Sequence, residues 1–286
     1  MSFMNSERRK KRLGSVLYHI LVLLIGIAMF YPVLWLLSSS FKVEETIFSN
    51  SHSLIPWDFT LENYKIGWRG FGGIGFDVFF KNSFIITLIS TFGQIFTASA
   101  TAYGFARIKF KGKAILFALM IATLLLPGQV LMIPQYILFT KLKWIDTFLP
   151  LILPRLFAMP FFVFLIYQFI QGIPKELDEA AEIDGCGVYS IFIRIIFPNI
   201  KPALITTFIF SFYWTWQDFF GPLLYIQSAG KYPVSLALKL FSDPSSITNW
   251  GAMFAMAVLS LLPAFIIFVV FQKHLVEGIS TTGMKG

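Results

Sequence analysis

The sequence predicts an all-α integral membrane protein of six transmembrane helices with a helix-turn-helix loop on the cytoplasmic side. Three observations carry this. Of the 286 residues, 56% are hydrophobic and 13% charged, with a mean hydropathy of +0.72, whereas a soluble domain carries about 25% charged residues. That composition excludes a soluble globular fold, and 34 Phe, 10 Tyr and 7 Trp exclude a disordered chain. Long runs contain no Asp, Glu, Lys or Arg, where a β-barrel shows ~10-residue alternation. Finally, Lys and Arg gather in alternate connections between those runs.

A helix needs ~20 apolar residues to cross a bilayer. After a basic N-terminus at 1–15, the charge-free run 13–41 gives a first span at about 16–37. A signal peptide has a shorter apolar region of ~7–15 residues and a small-residue cleavage site, so this segment reads as a retained helix. Runs 82–106 and 114–140 give spans at 83–105 and 114–134, and 147–174, interrupted only by Arg155, gives 148–171. A fifth span at 203–226 carries Asp218 in its outer half and Gly221-Pro222 near its end, and 252–272 is the sixth. Residues 16–272 are thus the membrane domain, and 273–286 form a tail.

With the N-terminus inside, the inner segments hold 14 Lys and Arg and the outer segments 8, so both termini are expected in the cytoplasm. The net charge of +8 follows this orientation pattern rather than one polar face, which argues against nucleic acid as a partner. The single cysteine, Cys186, and three scattered histidines give no metal or catalytic cluster. Gly70 to Gly75 lack the strand-helix context of a phosphate loop and read as a bend in the outer loop 42–81.

The connection 173–202 differs from the others, with eight of the 38 charged residues between Ile173 and Pro202. Pro174 suits a first helical position, and Glu176, Asp178 and Glu179 favour the positive end of a helix dipole. Gly185 supplies a left-handed stop. A second helix is expected from Val188 to Phe197, ending at Pro198. At 15 residues, with Arg194 and Pro198 inside it, the apolar stretch 186–200 is too short to cross.

Within this loop, Glu179-Ala180-Ala181 is followed by three residues, Gly185, nine more, and Ile195-Ile196-Phe197-Pro198. This resembles the EAA loop of ABC importer permeases, departing from its pattern only at Phe197. Ala102-Tyr103-Gly104-Phe105-Ala106-Arg107, Ile133-Pro134-Gln135-Tyr136 and Ile173-Pro174 extend the likeness to carbohydrate-uptake permeases, similar to the second permease of maltose-type importers. The resemblance implies that Glu179, Ala180, Ala181, Gly185, Ile195 and Pro198 couple the chain to a cytoplasmic ATPase. It further implies that the tail, with Gly283, Lys285 and Gly286, reaches between two ATPase chains. The implied partners are a second homologous permease, two ATPase subunits, an extracytoplasmic solute-binding protein and a sugar, in a bacterial or archaeal cell membrane. There is no Gly-x-x-x-x-Gly-Lys-Ser/Thr loop, so the chain itself is no enzyme and carries no cofactor. ATP and Mg would belong to the partner ATPases.

Tyr213, Trp214, Gln217 and Asp218 are candidates for a substrate path, since aromatic rings stack on sugar faces and amide or carboxylate groups bind hydroxyls. The same residues fit an interfacial aromatic belt with Asp218 paired to a neighbouring subunit. Arg155 reads as snorkelling to the outer interface. Two alternatives stay open at this point: an importer for glycerol phosphate or a polyol derivative, and an ion-coupled secondary transporter with Asp218 as its ion site.

Overall fold

A computed structural model describes the backbone of residues 2–242 and 249–283 and the side chains of 14–241 and 249–273. Lys285 and Gly286 lie outside the described residues, and Gly283 is the last residue of the final helix. In chain order the helices are α1 (Ser2–Ser39), α2 (Glu44–Ser49), α3 (Glu62–Arg69), α4 (Phe76–Arg107), α5 (Lys113–Thr123), α6 (Gly128–Lys141), α7 (Leu149–Leu156) and α8 (Pro160–Gln171). There follow α9 (Glu176–Ile183), α10 (188–199), α11 (Lys201–Trp216), α12 (Phe220–Tyr225), α13 (Val234–Ala237) and α14 (Trp250–Gly283). Among the described residues the only β pairing is two isolated bridges.

The chain forms two compact units, one of residues 1–70 and 241–259 and the other of 71–240 and 260–286. In the first unit, the apolar side chains of α1 from Val16 to Leu34 face outward, as a lipid-facing helix requires, while Trp35 and Leu36 are half-buried. Lys42, which is 2% exposed, donates from its ammonium to the carbonyls of Asn50 and Ser53. The Glu44 carboxylate accepts the backbone N–H groups of Trp250 (2.9 Å) and Gly251 (2.8 Å), satisfying orphan donors at the start of α14.

In the second unit α4 is the central post, packed by α7, α8 and α11. Small residues explain the close approach: Ala98, Ala102 and Ala106 of α4 meet Phe162, Val163, Ile166 and Ile170 of α8 in one buried cluster, and a side chain on Gly93 would overlap Leu156. Between α4 and α11 lies a polar seam, where the Ser211 hydroxyl donates to Gln94 Oε1 at 2.6 Å and lies 3.3 Å from Thr91 Oγ1. Outside the spans, Asp146 accepts from Lys231 Nζ (2.7 Å), the Ser228 hydroxyl (2.6 Å) and two backbone N–H groups. The Lys231 ammonium, then Ser228, hold its carboxyl well below the usual carboxylate range.

Among the described residues, four helical stretches are long and apolar enough to cross a membrane: Gly14–Ser39, Phe76–Arg107, Leu149–Gln171 and Trp250–Lys273. The other two expected spans, at 114–134 and 203–226, differ from continuous rods. At the first, α5 and α6 meet at 97° across residues 124–127, because Pro127 biases Leu126 away from helical geometry and lacks a donor for the ladder. At the second, α11 stops at Trp216 and α12 starts at Phe220. Pro222 has no N–H to give the Asp218 carbonyl one turn back, and the Ser235 hydroxyl donates to that carbonyl instead, at 2.6 Å. The expected end of α10 at Pro198 also shifts. The helix runs on to Asn199 through a π turn at Phe192–Ile196, the wider turn accommodating the missing proline donor, and then bends 76° into α11.

Candidate functional site

The loop 173–202 folds as two helices around a glycine. Three acidic residues occupy the first turn of α9. At its end Gly185 has φ +82°, the Cys186 N–H bonds the Ala181 carbonyl at 2.9 Å and the Gly185 N–H bonds the Glu182 carbonyl at 3.0 Å. This 6→1 and 5→2 pair is a Schellman stop, so the left-handed turn expected of Gly185 is present.

Side chains divide the EAA residues by face. Ala181 is buried in the α4–α8 cluster, with Cys186 packed against that cluster, whereas Glu179 and Ala180 are exposed. Both alanines are implied by the resemblance to couple the chain to an ATPase. Ala181 instead faces inward, since neighbouring residues on a helix point some 100° apart. Ile183 and Tyr189 stand 87% and 85% exposed on either side of the glycine. Ile195 is half-buried and Pro198 exposed.

What anchors the loop is Arg107, the last residue of α4. Its Nε lies 2.5 Å from Asp178 Oδ2, with the two side chains 7% and 13% exposed, and its Nη2 donates to the Ile173 carbonyl at 2.7 Å. The Tyr103 hydroxyl, one turn back, donates to the Val188 carbonyl at 3.2 Å, and its ring packs on Phe192. From the sequence Arg107 was only one of the inner positive charges. Its place at the end of Ala102-Tyr103-Gly104-Phe105-Ala106-Arg107, opposite an acidic helix, was the available signal.

A sequence profile of the binding-protein-dependent transport system inner membrane component family matches residues 94–281. The chain belongs to this family. It is similar to the probable ABC transporter permease protein YurM of Bacillus subtilis, 34% identical over 283 residues that cover 99% of this chain and 92% of the relative. The multiple sugar-binding transport system permease protein MsmG of Streptococcus mutans is 32% identical, covering 97% of this chain and all of the relative. Fold similarity extends to a chain of a bacterial ABC transporter involved in import of the acidic polysaccharide alginate, with a TM-score of 0.82 and 20% identity over 93% of this chain and 97% of that one. The chain is therefore a multi-pass membrane permease subunit of an ABC importer, a transport component that works with further components of its system.

In this permease the four path candidates on α11 and beyond do not share one face. Trp214 packs between Phe161, Phe162 and Phe210, while Tyr213 and Gln217 are exposed. Asp218 is paired within the chain, correcting both the neighbouring-subunit partner for Asp218 and the snorkelling Arg155. Arg155 Nη2 donates to Asp218 Oδ2 at 2.7 Å and Nη1 to Thr215 Oγ1 at 3.0 Å, and the Gly221 N–H donates to Asp218 Oδ1 at 3.1 Å. Opposite charges on two apolar segments are the sequence signal that would have joined them.

Proposed function

We propose that this permease carries a saccharide into the cell by alternating access, both termini lying in the cytoplasm. In this reading it pairs with a homologous permease and receives the sugar from an extracytoplasmic binding protein. Two ATPase subunits hold ATP and Mg and dock on the loop 173–202. Relatives named for arabinooligosaccharides, multiple sugars and diacetylchitobiose support the substrate class. The observation that carries the coupling role is the construction of the loop: Glu179, Ala180 and Ile183 are exposed on α9, which the Arg107–Asp178 pair locks to α4, and Tyr189 is exposed on α10 across the glycine. A surface that presses on such a loop moves the membrane helices with it as a rigid body. The tail residues Gly283, Lys285 and Gly286 are assigned to ATPase contact on the resemblance alone.

The direct test is the assembled complex in proteoliposomes, with ATP enclosed and binding protein and saccharide outside. Accumulation is expected with ATP and no ion gradient; accumulation driven by a pH or sodium gradient without ATP overturns the reading. A second measurement addresses the bend. Gly185→Val puts a β-branched side chain at φ +82°, where a Cβ meets no neighbour within 4 Å, so the cost is backbone strain of roughly 1–2 kcal/mol. Uptake and substrate-stimulated ATP hydrolysis are expected to fall while membrane insertion persists, and Gly185→Asn, which tolerates a left-handed turn, to retain most of both. Equal losses in the two variants would point to side-chain bulk rather than to the turn.

A further inference from the structure

A groove of about 310 Å³ opens beside the break between α5 and α6, and its walls include Gln129, Gln135, Arg155, Asp218, Phe220 and Tyr225. Its volume falls at the lower end of the ~300–1,000 Å³ typical of small-molecule sites. We propose that this groove holds one unit of an uncharged saccharide on its way through the permease, a proposal that rests on the saccharide-import reading above. The bend at Pro127 brings Gln129, at the start of α6, to the groove. Among the described residues neither Gln129 nor Gln135 has a side-chain hydrogen-bond partner, which leaves two donors and an acceptor on each for hydroxyl groups. Phe220 is 64% exposed at the rim and offers an apolar ring face.

Charge decides the class of ligand. Among the described residues that line the groove, Arg155 and Asp218 are the only charged ones, and they neutralise each other at 2.7 Å. A phosphate or uronate entering there meets no uncompensated cation and must shed its hydration. A sugar hydroxyl, donor and acceptor at once, finds amide groups and the outer edges of a neutral ion pair. Of the four candidates on α11 and beyond, only Asp218 belongs to this groove.

The test is the assembled complex in proteoliposomes containing ATP, with saturating loaded binding protein. Its probes are arabinotriose, diacetylchitobiose and maltotriose as neutral saccharides, and a galacturonic acid disaccharide and glycerol 3-phosphate as anions. The parent is expected to accumulate at least one neutral saccharide and to discriminate against the anions. Gln129→Met and Gln135→Met keep the side-chain length and remove the hydrogen bonds, and complex assembly is checked by size-exclusion chromatography. Each is expected to lower the maximal uptake rate about five- to tenfold, the loss of one hydrogen bond of ~1–1.4 kcal/mol, and to change the preference between two neutral saccharides. A purely structural role would lower all saccharides in the same ratio. Unchanged rates and preferences in both variants overturn the groove while leaving saccharide import intact. Uptake of an anionic probe as fast as the neutral ones overturns the uncharged class. Accumulation of glycerol 3-phosphate alone overturns the saccharide reading itself.

Discussion

Replacing Arg107 by methionine is expected to disconnect the loop 173–202 from α4 and to reduce ATP-driven uptake by more than tenfold in a protein that still inserts into the membrane. Methionine preserves much of the apolar stem and the packing along α4. It removes the guanidinium that touches Asp178 and the Ile173 carbonyl. Asp178, 13% exposed, is then an unpaired acid against an apolar cluster, and breaking a buried pair from one side costs about 3–5 kcal/mol. Since α9 is only eight residues long and short helices are marginal on their own, that loss is large beside the forces that keep it docked. Asp178→Asn should be milder, because Arg107 keeps the Ile173 carbonyl and an amide oxygen as acceptors. The Arg107→Met/Asp178→Leu double variant should recover part of the loss, since no charge is left buried alone. Amide hydrogen exchange of residues 176–186 and uptake, measured on the parent, Arg107→Met, Asp178→Leu and the double variant, complete the double-mutant cycle. Additive effects of the two single changes, or normal uptake by Arg107→Met, would remove the pair from the coupling path.

The helical membrane class was legible because the bilayer imposes a length and a polarity that local composition reports directly. Gly185 was legible for a similar reason, as a left-handed stop depends on one residue and its immediate neighbours. What stayed hidden involved pairs of residues far apart in the chain. Arg107 and Asp178, 71 positions apart, and Arg155 and Asp218, 63 apart, each had an explanation that did not involve the other. The breaks were half visible. Pro127 and Pro222 are plain in the sequence, but an apolar run conceals whether a proline bends a helix slightly or ends it. Pro127 breaks the ladder, but the 97° size of the turn it allows, like the long-range Ser235 bond to the Asp218 carbonyl, is not written in the residues next to the proline. The inward face of Ala181 belongs to the same category, since the cluster that covers it is assembled from helices distant in sequence.

The pair Arg155–Asp218 gives the second large effect, and charge removal separates its structural part from its part in transport. Asp218→Leu leaves the Arg155 guanidinium, 31% exposed, without its counter-ion in an apolar helical stretch. Partial solvent contact reduces the penalty below that of a fully buried pair, to roughly 2–3 kcal/mol, and the yield of assembled complex is expected to drop sharply. Asp218→Asn keeps the size and one acceptor oxygen, so one of the two donors, Arg155 Nη2 on Oδ2 or the Gly221 N–H on Oδ1, keeps its partner while the other meets the amide NH2. It should lower the uptake rate tenfold at most, about 1.4 kcal/mol. An acid that had to change protonation or ion occupancy in every cycle could not be replaced in this way, so near-complete loss of ATP-driven uptake in Asp218→Asn, with assembly intact, would contradict a fixed charge. Arg155→Met/Asp218→Leu removes both charges and should restore assembly toward the parent level. Its uptake should nevertheless stay low, because the groove then lacks the hydrogen-bonding edge that the ion pair presents to a sugar. Full recovery of uptake in the double variant would show that the pair holds α7 to the end of α11 and does nothing more.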